Sequence, residues 1–224
     1  MAKYRSDLPP LPARMRDLPL DWRGYPVPKF VHFIDGVPDF RVIEPGWMAH
    51  CHRRHVCWLC GQPLGQFMCF VIGPMCAVNR VSSEPPGHRD CGEYAVRACP
   101  FLTHPMARRN ERGLPDDRYV LEGAIDRNPG CAITWMTRSY KLQRVSNGTV
   151  FIIGEPDSMK VWREGRPATH AEMMLSIESG MPLLREQIAK TEGREGLMRL
   201  AGEYDRMIVT MRRLFPHWYA AAAV

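Results

Sequence analysis

Four residues restrict this chain more than any other feature: Cys57, Cys60, His88 and Cys91, in the pattern C-x2-C-x27-H-x2-C. Three sulfurs and an imidazole at that spacing match a four-coordinate structural zinc site. In C-x-x-C the backbone doubles back, so both sulfurs address one centre. Gly61, directly after Cys60, suits a turn that needs positive φ. His88 and Cys91 are three residues apart, which on a helix is one face of one turn. Pro85-Pro86-Gly87 just before them drives the chain into a helix start, where the dipole favours thiolate. Four protein ligands would close the coordination sphere, so one zinc ion is expected, and it is structural rather than catalytic.

Between the ligand pairs the pattern reads as a hairpin. Gln66–Ile72 is an apolar strand, Gly73-Pro74 a turn, and Met75–Val81 a returning strand. Knuckle, hairpin and helix in this order resemble the treble-clef zinc fingers, over residues 55–100. The resemblance implies an interaction module. The stretch from Val56 to Leu102, with the hairpin before it, also resembles a family of uncharacterised bacterial and phage-borne proteins, which implies a prokaryotic or phage source and supplies no activity.

Spacing alone leaves other ligand sets open. Cys51, His52 and His55 precede the knuckle and could replace His88. Cys99 lies eight residues past Cys91, ~12 Å along a continuous helix, too far to share its ion. Cys69, Cys76 and Cys131 sit in apolar strand patterns and read as core. The chain has no apolar signal region near its start and no run approaching the ~20 apolar residues of a membrane span. The expected location is therefore the cytoplasm, where the eight cysteines stay reduced and free to bind metal.

The fold class expected is α+β: the treble-clef-like zinc region, then a small antiparallel sheet and C-terminal helices. Residues 1–28 hold six prolines and read as an extended arm on the surface. Residues 29–117 form the zinc-organised region, and 118–224 the rest, as a second region or one continuous with it. Phe30–Ile34 and Phe40–Ile43 flank Asp35-Gly36 as a hairpin. Residues 103–117 read as an exposed loop. Strands are expected at 131–140 and 149–153, joined by a turn at Asn147-Gly148. Thr169 and Glu172 form a capping box, and Pro182 suits the first turn of a further helix. The last helix carries Leu197, Leu200, Ala201, Tyr204, Met207, Ile208, Met211 and Leu214 at helical spacing. That stripe predicts packing on a sheet, or a coiled-coil or dimer seam.

The net charge is +6, with 25 of the 30 basic residues arginine. The charge is spread along the chain, which permits nucleic-acid binding without demanding it. Two clusters are candidate phosphate contacts: Arg53 and Arg54 among the histidines beside the knuckle, and Arg108, Arg109 and Arg112 past the zinc helix. Trp58 is a candidate for base stacking, or packs under the finger. Three enzyme readings compete with the binding module. An HNH-type nuclease needs a histidine base in the hairpin, and residues 56–87 contain none. A zinc deaminase needs P-C-x-x-C after His170-x-Glu172, and no cysteine follows. Cys76 as a nucleophile would need a base nearby. The favoured expectation is a zinc-stabilised module binding nucleic acid, ahead of a protein-interaction scaffold, which should show a large apolar patch outside the core.

Overall fold

The computed structural model describes residues 2–105, 107, 108, 110, 112, 113, 128, 130–145 and 148–220. Arg109, Asn147 and residues 114–117 of the expected loop lie outside that set. The α+β class holds, with small antiparallel sheets and helices at the C-terminal end. No described helix is long and apolar enough to cross a membrane.

The N-terminal arm is pinned down rather than loosely wrapped. A 3-10 turn at Ala13–Met15 and a bridge between Leu20 and Pro26 shape it. Met15, Leu18 and Val27 are buried. Next, β1 (Val31–Ile34) and β2 (Val37–Ile43) form the expected ribbon. Asp35 and Gly36 at its tip both have positive φ, 50° and 80°, as a type I′ turn requires. Helix α1 (Trp47–Arg54) leads into the knuckle.

Strand β3 (Met68–Ile72) is formed, but the segment after it is a helix, α2 (Pro74–Asn79), so no hairpin lies between knuckle and zinc helix. The reason is local: Gly73 is an extended N-cap and Pro74 takes the first helical position, where a missing N–H costs nothing. β3 instead pairs with β5 (Ala132–Thr137), far along the chain, with Phe70 opposite Trp135. The rest of the chain contributes β4 (Val81–Ser82), α3 (Arg89–Ala98), α4 (Pro100–Thr103), β6 (Tyr140–Val145), β7 (Gly148–Ile153), β8 (Ser158–Arg163) and β9 (Arg166–Pro167). The antiparallel orders are β3-β5-β8-β9 and β4-β7-β6. The single strand expected at 131–140 is thus split between two sheets. Thr137 Oγ1 accepts the Ser139 N–H, and the chain turns there.

Every residue of β5 is buried, because both faces of its sheet are covered. Phe70, Ile72, Ile133, Trp135, Met159 and Val161 join the main core with Met173 and Ile177 of α5 (His170–Thr191). On the other face Ala132 and Trp162 meet Val96 of α3. Gly92 makes that approach possible: a Cβ there would stand 2.7 Å from Cys69 Sγ. Helix α3, which adjoins one candidate ligand and carries another, is therefore seated on the sheet.

Thr169 and Glu172 do form the capping box. Pro182 lies inside α5 rather than at a new helix start. It is exposed, so the carbonyl it leaves without a helical donor can face water, while Ile177, Met181 and Ile188 hold the helix to the core. Helix α6 (Gly193–Leu214) runs back along α5. Its stripe packs against α5 and α2, with Leu200, Met207 and Met211 buried. Helix α7 (His217–Ala220) closes the described chain.

Candidate metal centre and basic surface

Cys57, Cys60, His88 and Cys91 converge, their ligand atoms all within 4.8 Å of one another. The knuckle turns as its sequence requires: Gly61 has φ +76° and its N–H donates to the Cys57 carbonyl. His88 is the N-cap of α3, and Cys91 sits in its first turn. The loop before His88 is tied to β3 by two backbone hydrogen bonds between Gly87 and Cys69, both 2.8 Å.

The imidazole decides what the cluster can do. Nε2 lies 2.9 Å from the Pro63 carbonyl. A carbonyl only accepts, so Nε2 carries a proton, which leaves Nδ1 as the nitrogen that would offer its lone pair to an ion. Nδ1 points into the sulfurs, 3.4 Å from Cys60 Sγ and 3.9 Å from Cys91 Sγ. Tetrahedral zinc with ordinary Zn–S and Zn–N lengths places sulfur and nitrogen about 3.6 Å apart. The donor set and its spacing thus fit a zinc-sized ion. An outer carbonyl fixing the tautomer of a ligand histidine is the usual second layer of such sites.

Hydrogen bonds among the four groups shift their titration strongly. Hydrogen bonds from Cys60 and Cys91 hold the Cys57 thiol far below its ordinary range, and the same Cys57 and Cys60 push Cys91 up. Hydrogen bonding to Cys57 and Cys60 pushes His88 up to about 10. Exposure of the four residues is 0%, 6%, 8% and 0% in chain order, so protein fills the surroundings. Met15, Leu18, Trp58 and Tyr94 pack around the sulfurs, and Gln62 donates to the Arg14 carbonyl across the arm.

The competing ligands are elsewhere employed. Burial pushes the Cys51 thiol up to about 12; His52 Nδ1 meets Tyr140 Oη at 2.9 Å, and His55 faces the Gly65 carbonyl. Cys69 and Cys131 are buried as expected, and Cys76 lies on α2, not a strand, its thiol also raised by burial. All eight cysteines are free thiols. Trp58 is 4% exposed and stacks on Phe30, centroids 4.7 Å apart and planes 4° from parallel. It packs under the finger and presents no face to a base. His170 and Glu172 belong to the start of α5, as a helix-cap reading requires.

The basic residues divide. Arg53 and Arg54 are exposed in the last turn of α1. Arg108 and Arg112 are exposed, and the Arg112 carbonyl accepts from Arg41 of the ribbon at 2.8 Å; Arg109 is outside the described residues. Two cations had no signal in the sequence. Lys141 and Arg144 are exposed on β6, and the His52–Tyr140 bond joins β6 to α1. Neither element contains an acid, and none of Arg53, Arg54, Lys141 and Arg144 has an ion-pair partner among the described residues.

No family model, curated protein or solved structure matches the chain. The likeness to treble-clef fingers and to bacterial and phage proteins therefore gains no support from known relatives, and the site is read from its own geometry.

Proposed function

We propose that the cluster holds one structural zinc ion, and that the chain is a zinc-stabilised module which binds nucleic acid in a reducing compartment. The observation that carries the metal reading is His88: one ring nitrogen is committed to the Pro63 carbonyl and the other to the sulfurs. An imidazole so engaged cannot act as the water-activating base of an HNH nuclease. Asn79, a residue type that HNH sites also use, accepts from Arg199.

The acid-free surface of α1 and β6 supports nucleic acid as partner, because arginine and lysine not engaged by acids release counterions when they meet phosphate. A quadruple variant, Arg53→Ala, Arg54→Ala, Lys141→Ala and Arg144→Ala, tests it. Binding of a labelled oligonucleotide is expected to weaken steeply with salt. The variant's log–log slope should be shallower by about one for each phosphate it no longer neutralises. Binding that is flat from low to physiological salt would remove the reading. One observation favours a protein partner instead: the β1–β2 ribbon exposes Phe33, Ile34, Val37 and Ile43.

A further inference from the structure

Trp22 is 83% exposed, yet the loop that holds it is built rigidly. The buried Asp21 carboxylate accepts the backbone N–H groups of Arg23 and Tyr25, both at 2.9 Å, and the Arg23 Nε at 2.8 Å. The Asp21 N–H donates to the Tyr25 carbonyl and the Gly24 N–H to the Asp21 carbonyl, closing the turn. Gly24 has φ +84°, and a Cβ on it would lie 2.3 Å from the Lys3 carbonyl oxygen. The chain thus fixes the backbone that presents the tryptophan to water, so little loop freedom is left to lose on binding.

The surroundings indicate what would cover it. The Arg23 guanidinium lies 5.8, 5.2 and 5.5 Å from the ring centroids of Trp22, Tyr25 and Phe40. Its Nε and Nη2 are held by Asp21, so its plane is set. Aromatic faces and guanidinium planes are the surfaces on which unpaired bases stack. Arg23, Tyr25 and Phe40 line one connected void with Lys141, Gln143 and Arg144; Glu44 and Glu84 line it too, and Trp22 stands outside its wall. A duplex keeps its base faces stacked on one another, whereas a single strand offers them.

We propose that this chain takes nucleic acid as a single strand, stacking a base on the Trp22 loop while Lys141 and Arg144 meet its backbone. The proposal rests on the nucleic-acid reading above. The test is anisotropy with fluorescein-labelled oligothymidylate, oligouridylate and a mixed-sequence duplex, on wild type, Trp22→Ala, Trp22→Phe and Lys141→Ala/Arg144→Ala. Single-strand affinity should fall about tenfold in Trp22→Ala, stay close to wild type in Trp22→Phe, and leave duplex affinity unmoved; a shared melting temperature shows that each variant folds. Oligouridylate against oligothymidylate separates RNA from DNA. Single strands bound equally by wild type and Trp22→Ala would overturn the stacking proposal and leave nucleic-acid binding standing. Wild type that binds neither form would remove both. A proline-rich peptide bound through Trp22, with no oligonucleotide bound, would reassign the loop to a protein partner and overturn the proposal.

Discussion

Cys60 is the ligand whose removal separates a metal site from a merely buried thiol cluster. Serine keeps the volume and the turn but loses the soft donor, and the remaining three groups lie in a pocket shaped for four. Cys60→Ser is expected to lose its zinc, read as metal per chain by elemental analysis, and to lose much of its fold with it, because metal affinity at such sites is folding free energy. An unchanged metal content or an unchanged melting curve would contradict the ligand assignment. That Cys57, Cys60, His88 and Cys91 would meet was foreshadowed by spacing, because C-x-x-C and H-x-x-C each encode a local geometry, though spacing alone left Cys51, His52 and His55 as alternatives. The Pro63 carbonyl that orients His88 was not legible. A backbone acceptor has no residue-type signature, and its use depends on where a distant loop is brought. For Trp58 the sequence left two readings, stacking on a base or packing under the finger, and the placement of Phe30 against its face decides for packing.

Among the elements, α5 shows a local signal surviving intact. Thr169 accepts the Glu172 N–H, and the Glu172 carboxylate accepts the Thr169 N–H at 2.8 Å. Thr169→Ala should destabilise the protein by about 1 kcal/mol in urea unfolding. The same box carries a pH dependence. The Arg166 hydrogen bond, then the Thr169 N–H, pulls Glu172 from its ordinary 4.5 to about 2. A folded value below the unfolded one means that the contribution is whole above 4.5 and fades as pH falls toward 2. The stability gap between wild type and Glu172→Gln should therefore shrink across that interval. A gap that stays constant would show that the Arg166 pair adds nothing. Elsewhere the local signal lost. Met75–Val81 is apolar enough for a strand, yet Gly73-Pro74 starts a helix, and β3 finds its partner in β5. Strands β6 and β8 carry little apolar signature of their own, because polar residues interrupt them at Lys141–Arg144 and Lys160. Their pairing is decided by long-range contacts.

Across the whole molecule, apolar residues collect in two main clusters with unequal dependence on the metal. The larger joins β3, β5, β7 and β8 to α2, α5 and α6 through Phe70, Ile133, Met173, Ile177 and Met211. The second gathers Met15 and Leu18 of the arm, Cys51 of α1, the knuckle, and Cys91, Tyr94 and Ala98 of α3. Three of its eleven buried members are sulfur ligands, and much of the rest is arm and loop with few backbone ladders of its own. The proposed ion, joining the knuckle to α3, would stand in for the core which such a small cluster lacks. Chelation of the zinc should then act regionally. Hydrogen exchange in the arm, α1 and the knuckle is expected to accelerate, and proteases to cut within residues 1–64, while β5, α5 and α6 keep their protection. Helix α3 should respond in halves. Its first turn would be held by the proposed ion, whereas Val96 and the Gly92 contact with β3 belong to the sheet. Global unfolding in a single step on metal removal would show instead that the two clusters form one cooperative unit, with Met48, which touches both, as part of the coupling.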